Sequence, residues 1–282
     1  MLSVRHITLL SGLAGLALAL AACVSPGAVE RAQSLARQHR EDEAVTVLRS
    51  RVEGHPDDVA ARKLLIRLLA FTGDLPAARL QAEELGRRLA EGDPAPYIEL
   101  GHALELSHKY DEALEAYDEA AARAPTSPEG AREGGMRCAR WGETEQAQPR
   151  LEEAIRRGAR DAETWHTLGL VRLHRGDLDG AEEAYRAGAG ADPRAAESWV
   201  GLATVAIVRG DPGKALDAYD QVLVRRPRFA PAELGRAWAL AKLGRPAEAQ
   251  EALDRAEAMG APPANVARQR AALASVPPSQ KP

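Results

Sequence analysis

Apolar and polar residues alternate along this chain with a helical period, and a much longer period is laid over it. An alanine recurs at Ala44, Ala78, Ala113, Ala147, Ala181, Ala215 and Ala249, in steps of 34, 35, 34, 34, 34 and 34 residues. A period of this length marks stacked repeats, not one closed core. Four residues after the alanine stands a larger apolar side chain in most copies: Leu48, Tyr117, Leu151, Tyr185, Tyr219 and Leu253, with Ala82 the small exception. That spacing puts both residues on one face of a helix.

A turn precedes each such helix. Gly73-Asp74, Gly142-Glu143, Gly176-Asp177, Gly210-Asp211 and Gly244-Arg245 are predicted to end one helix in the left-handed conformation and to cap the next. Pro212 and Pro246 then fall in a first helical turn, where the missing N–H costs nothing. Pro56, Pro125, Pro193 and Pro227 stand twelve residues after the alanine and close the unit. The preceding helices carry Tyr97, Trp165 and Trp199, each followed by a leucine and a small residue: Leu100-Gly101, Leu168-Gly169 and Leu202-Ala203. A small residue on that stripe predicts close approach of the two helices in a unit.

This series of aromatic, leucine, small residue, alanine, tyrosine and proline resembles the tetratricopeptide repeat, most closely over Tyr97 to Pro125, Trp165 to Pro193 and Trp199 to Pro227. Ala28, Arg62, Ala131 and Glu233 replace the opening aromatic in the other four copies, whose alanine phase is unbroken. The resemblance implies an all-α, right-handed superhelical solenoid of about seven helix-turn-helix repeats over 28–261, with copies near 25–57, 58–92, 93–126, 127–160, 161–194, 195–228 and 229–261. A capping helix is expected over 262–275 and a disordered tail over 276–282. In such repeats the first helix of each pair lines a groove for a protein partner. Carried across by register, the groove residues are Arg37, Lys63, Arg67, His102, Met136, Arg140, Leu170, His174, Ile207, Val208 and Trp238. The expected groove runs from a basic N-terminal end to an apolar C-terminal end. If the register is off by one residue, its apolar positions pack against the neighbouring repeat instead. The ninth positions, from Gln33 to Trp238, lack the asparagine and lysine set with which chaperone-binding repeats clamp a carboxylate.

At the N-terminus, Arg5 precedes an uncharged apolar run from Ile7 to Ala22, shorter than a spanning helix needs and suited to a signal peptide over 1–22. Its end, Leu20-Ala21-Ala22-Cys23, resembles the lipobox of bacterial lipoproteins, which implies lipidation at Cys23 and a tether over 23–27. Two or three acyl chains anchor a protein stably where one does not. An ordinary signal peptide with an incidental cysteine is the alternative. Val24 and Ser25 do not resemble an aspartate retention signal, which favours the periplasmic face of the outer membrane.

Charge and chemistry narrow the reading further. The full chain has a net charge of −4, and residues 1–22 contain Arg5 alone among charged groups. Such a balance gives no support to nucleic-acid binding. With Cys23 lipidated, Cys138 is the one remaining thiol; it falls where other copies carry leucine and is expected to pack as a buried hydrophobe. His166 and His174 lie about 12 Å apart along one helix, too far to share a metal. No phosphate loop, nucleophile elbow or acid–base pair is visible, so no cofactor, metal, small-molecule substrate or enzymatic activity is expected. Gly134-Gly135 and Pro149 both fall in the fourth copy. They predict either a compliant joint or glycines that permit close packing.

The expectation from sequence is thus a non-enzymatic, lipid-anchored scaffold in the bacterial envelope, similar to the pilotin-type and tight-adherence lipoproteins of pilus assembly. A secretin, a pilus component or another envelope-assembly protein would be its partner. An adaptor or regulatory subunit for cell-wall hydrolases or polysaccharide export is the alternative.

Overall fold

The computed structural model describes residues 27–274. The apolar N-terminal run, Cys23 and the C-terminal tail beyond Ala274 lie outside the described residues. Fifteen helices and no strand occur among those described. They are α1 (Ala28–Arg37), α2 (Glu41–Gly54), α3 (Val59–Thr72), α4 (Leu75–Gly86), α5 (Ala95–Leu106), α6 (Tyr110–Arg123), α7 (Glu129–Trp141), α8 (Thr144–Arg156), α9 (Ala162–His174), α10 (Leu178–Ala191), α11 (Ala196–Arg209), α12 (Pro212–Arg225), α13 (Ala230–Lys242), α14 (Pro246–Ala258) and α15 (Pro263–Ala274).

The alanine ladder is the spine of the core. All seven ladder alanines are fully buried on the even-numbered helices α2 to α14. Each even helix packs on the odd helix before it and the odd helix after it. Odd helices from α1 to α11 also pack directly on one another, whereas even helices make no comparable contact among themselves. The odd helices therefore crowd along one side and form the inner wall of a right-handed superhelical solenoid. At Gly101 the closeness within a pair is measurable: a Cβ there would lie 2.5 Å from the Tyr117 ring, a distance no real contact shows.

The turns hold as expected and extend to two copies where glycine is absent. Gly73, Gly142, Gly176, Gly210 and Gly244 all take positive φ, between 71° and 90°. At the same offset before the ladder, His39 (φ 58°) and His108 (φ 57°) adopt the same left-handed conformation without glycine's freedom. Asp74, Asp177 and Asp211 then cap the following helix through their carboxylates, as do Asp58 and Asp161 elsewhere. Glu143 and Arg245 occupy the same cap position but make no side-chain bond there.

In the fourth pair, α7 and α8 run unbroken through Gly134-Gly135 and Pro149. The glycines serve close packing: a Cβ on Gly135 would stand 2.8 Å from Leu151 Cγ, and one on Gly134 3.3 Å from Tyr117 Cβ. Cys138 is buried beside Leu151 and Leu168, and burial pushes its thiol pKa up. Helix α15 packs on α14 and α13, with Val266 buried against the last pair.

Candidate functional site

The inner wall carries two side-chain stripes that stacking leaves open. One, seven residues before each ladder alanine, comprises Arg37, Phe71, Leu106, Arg140, His174, Val208 and Lys242, and every member is exposed. The second, eleven residues before it, comprises Gln33, Arg67, His102, Met136, Leu170, Thr204 and Trp238, which range from exposed to half-buried. The register taken from sequence thus brings outward-facing residues onto one wall.

The N-terminal part of this wall is ion-paired, so the expected basic end shrinks. Arg67 bonds Glu99 across the gap between α3 and α5. Between α5 and α7, Nε2 of His102 lies 3.2 Å from both Glu133 Oε2 and Arg137 Nη2, and Arg137 Nε donates to Glu105 at 2.7 Å. The His102 hydrogen bond holds the Glu133 carboxyl below the usual carboxylate range against the opposing effect of its burial. Arg132 continues the series to α9, bonding Glu163 at 2.7 Å and Thr164 Oγ1 at 3.0 Å. Of the expected cations, Arg37 and Lys63 have no ion-pair partner among the described residues, and Arg140 approaches Glu105 only to 4.0 Å.

Toward the C-terminus the two open stripes turn apolar, and the carboxylates of α9 and α11, Glu163 and Glu197, lie in the first turns of those helices. Leu170 on α9 is 37% exposed and Val208 on α11 58% exposed. His174 is exposed beside them. Ile207 and Trp238 behave differently: both are half-buried and pack against the C-terminal core around Ala206, Leu240 and Leu253. Met136 is likewise half-buried, against the cluster that holds Cys138. The apolar positions therefore divide between open surface and inter-repeat packing. His166, one turn before Leu170, sits over the Tyr185 ring at 5.5 Å, and burial depresses its pKa.

Sequence reasoning overlooked Glu99, Glu105, Glu133 and Arg137, whose partners lie 31 or 32 residues away. It also overlooked Tyr110 and Trp141, whose rings meet at 4.9 Å on the rim of the wall. Among the described residues no group of three or more His, Cys, Asp or Glu could hold a metal, and no helix is long and apolar enough to cross a membrane.

Comparison with known proteins agrees with this geometry. Family profiles described as tetratricopeptide repeat match residues 29–94, 140–196 and 200–266, and a second such profile matches 94–127. No curated protein matches in sequence. Among solved structures, the C-terminal part of a tetratricopeptide-repeat protein from Cytophaga hutchinsonii superposes with a TM-score of 0.63 at 15% identity, covering 86% of this chain and 98% of that one. YrrB, described as a tetratricopeptide-repeat protein with an unusual peptide-binding site, gives 0.57 at 19% identity over 64% of this chain and 93% of its own. MamA gives 0.56 at 20% identity over 59% and 91%.

Proposed function

This chain belongs to the tetratricopeptide-repeat family, whose stacked helix pairs are suited to protein–protein interaction, and from that premise we propose that it is a non-enzymatic scaffold that captures an apolar segment of a partner protein on the inner wall of α9, α11 and α13. One observation carries the reading: Leu170 and Val208 stand open to solvent on a stretch of wall whose two open stripes hold no carboxylate, Glu163 and Glu197 lying at the far ends of the same helices. Exposing them costs hydrophobic free energy that burial under a partner recovers, at about 25 cal/mol per Å² of apolar surface. An amphipathic helix or an apolar strand fits such a wall, as in other helix-in-groove complexes. The structural likeness to YrrB supports the fold for this purpose and leaves the ligand open.

Placement follows from the N-terminus. The lipobox-like Leu20-Ala21-Ala22-Cys23 supports a lipid anchor at Cys23 and a site of action at the periplasmic face of the outer membrane. A scaffold tethered there would serve assembly of a pilus or secretion complex, with a secretin or pilus component as its partner.

The structure also sets the test. Charging Ile207 or Trp238 would damage the core against which they pack, so the informative variant is Leu170→Glu with Val208→Glu. Pull-downs from detergent-solubilised envelopes should recover a partner with the wild type and at least tenfold less with the double variant, at unchanged helical content by circular dichroism. Equal recovery by both proteins would sink the trough assignment. In parallel, Cys23→Ser should move the protein from the membrane fraction to the soluble periplasm, and unchanged fractionation would overturn the anchor.

A further inference from the structure

A second exposed apolar surface lies on the rim of the wall, where α5, α6 and α7 meet. Leu106 ends α5 at 70% exposure and Tyr110 opens α6 at 43%. Trp141 ends α7 with its ring 54° from the plane of Tyr110, so the two aromatics form an open notch and not a flat stack. Single exposed apolar residues are ordinary. Here three helices bring them to one place, and stacking explains only part: Trp141 rests one side on the N-terminal core, while Leu106 and Tyr110 belong to no buried cluster. The half-buried Trp141 makes no side-chain hydrogen bond among the described residues, so its indole N–H is free to donate.

Two open grooves, of about 600 and 700 Å³, flank this ridge and share His108, Tyr110 and Trp141. His108 is held in its left-handed turn, with Nδ1 2.9 Å from the Tyr110 hydroxyl. The inner groove contains Arg137 and Arg140 with Glu105. Arg137 is taken up by Glu105 at 2.7 Å and Glu133 at 3.2 Å. Arg140 remains 65% exposed with its nearest carboxylate at 4.0 Å. On the other side, Asp111, Glu112 and Glu143 line the outer groove and have no ion-pair partner among the described residues. Their charge favours the helix N-termini on which they sit, and three carboxylates against the single Lys109 in the same groove disfavour an acidic ligand on that side.

We propose that the ridge of Leu106, Tyr110 and Trp141 binds an extended, proline-bearing segment of a partner protein, with a proline ring in the Tyr110–Trp141 notch and a carboxylate of the same segment against Arg140. Proline is the residue the notch fits, because its compact ring lies flat on an aromatic face and its fixed φ reduces the entropy lost on binding. An extended polyproline-type segment has no internal hydrogen bonds, so its carbonyls are free to accept from the Trp141 indole. A helical ligand would offer the indole no such acceptor along its middle. The charge pattern fixes the orientation: the acidic residue lies toward the inner groove.

This surface stands apart from the trough of α9 to α13, and its test separates the two. The probe is a random twelve-residue peptide library displayed on phage and selected on the immobilised full chain in detergent. Selected sequences should be enriched in a proline within a few residues of Asp or Glu. Synthetic versions should lose at least tenfold in affinity, read by fluorescence anisotropy, on Tyr110→Ala. Selection on the exposed-site variant Arg140→Glu should exchange the acidic residue for Lys or Arg, a reversal that a general loss of folding cannot produce. Leu170→Glu with Val208→Glu should leave the affinities within twofold, whatever its effect in the envelope pull-down. The proposal is overturned if no proline-acidic class is recovered. It is equally overturned if recovered peptides bind Tyr110→Ala and Arg140→Glu as they bind the wild type.

Discussion

Gly130 and Gly190 show how differently the same residue behaves in two helices of this solenoid. A Cβ on Gly130 would fall 2.4 Å from the backbone nitrogen of Ala121, and backbone cannot give way as a side chain can. Nothing lies within 4 Å of Gly190. Gly130→Ala should therefore cost about 1–3 kcal/mol through overpacking, and Gly190→Ala should gain about 0.5–1 kcal/mol from helix propensity; urea denaturation of both variants checks the opposite signs. His166 supplies a pH handle. Burial depresses its folded pKa below the ordinary value, with Glu197 and Glu163 opposing. The unfolded chain then takes up the proton first, so stability falls as pH drops below about 6.5 and levels off beneath the folded pKa. Carboxylates such as Asp58, lowered by the Ala61 amide, act in a more acidic window. Thermal unfolding between pH 7.5 and 5 should show an acid-side loss that shrinks in His166→Asn; an identical slope in both proteins would refute the assignment. The left-handed turns make the limit of sequence reading concrete. Five were legible because glycine marks them, whereas His39 and His108 hide the same geometry behind residues that do not ask for it. Their offset from the ladder alanine is the signal that would have found them.

At the level of elements, the helix starts were legible because aspartate announces a cap, yet caps of equal appearance are not of equal weight. Asp211 accepts from the Lys214 amide and pairs loosely with that lysine at 3.6 Å. Asp161 accepts from the Thr164 amide and hydroxyl and also faces Arg132 at 3.4 Å, tying α9 to α7. An N-cap Asp→Ala change costs about 0.5–2 kcal/mol. Asp211→Ala should fall at the low end of that range and Asp161→Ala above it, because the second also removes the Asp161–Arg132 pair that helps tie α9 to α7 and the acceptor of the Thr164 hydroxyl, leaving Arg132 with Glu163 and Glu133; denaturant midpoints of the two variants give the order. The cross-helix ion pairs were not legible for a related reason. Arg67 and Glu99, or His102 and Glu133, look like separate solvated charges until the repeat register places them on adjacent odd helices. A charge on one stripe with its opposite 31 or 32 residues later is the pattern to seek.

Taken as a whole, the molecule has two kinds of wall. From α3 to α9 its odd helices are joined by ion pairs, and from α9 to α13 mainly by apolar contacts, Leu173 with Leu202 and Val205 and then Ala206 and Ile207 with Trp238 and Leu240. Raising salt from about 0.1 to 1 M shortens the screening length from roughly 10 to 3 Å. Amide exchange in the N-terminal half should therefore quicken with salt more than exchange in the C-terminal half, and equal acceleration throughout would contradict the division. The even spacing of the open stripes has a consequence for whatever lies along them. Packed helices stand about 8–10 Å apart, so side chains such as Phe71 and Leu106, at the same place on successive odd helices, recur at roughly that interval. An extended polyproline-type segment advances about 3.1 Å per residue with three residues per turn, and a helix about 1.5 Å per residue. The wall is thus a ruler: it reads every third residue of such an extended segment or about every seventh of a helix, spacings that keep the residues on one side, and sequences with another rhythm fall out of step after one or two marks.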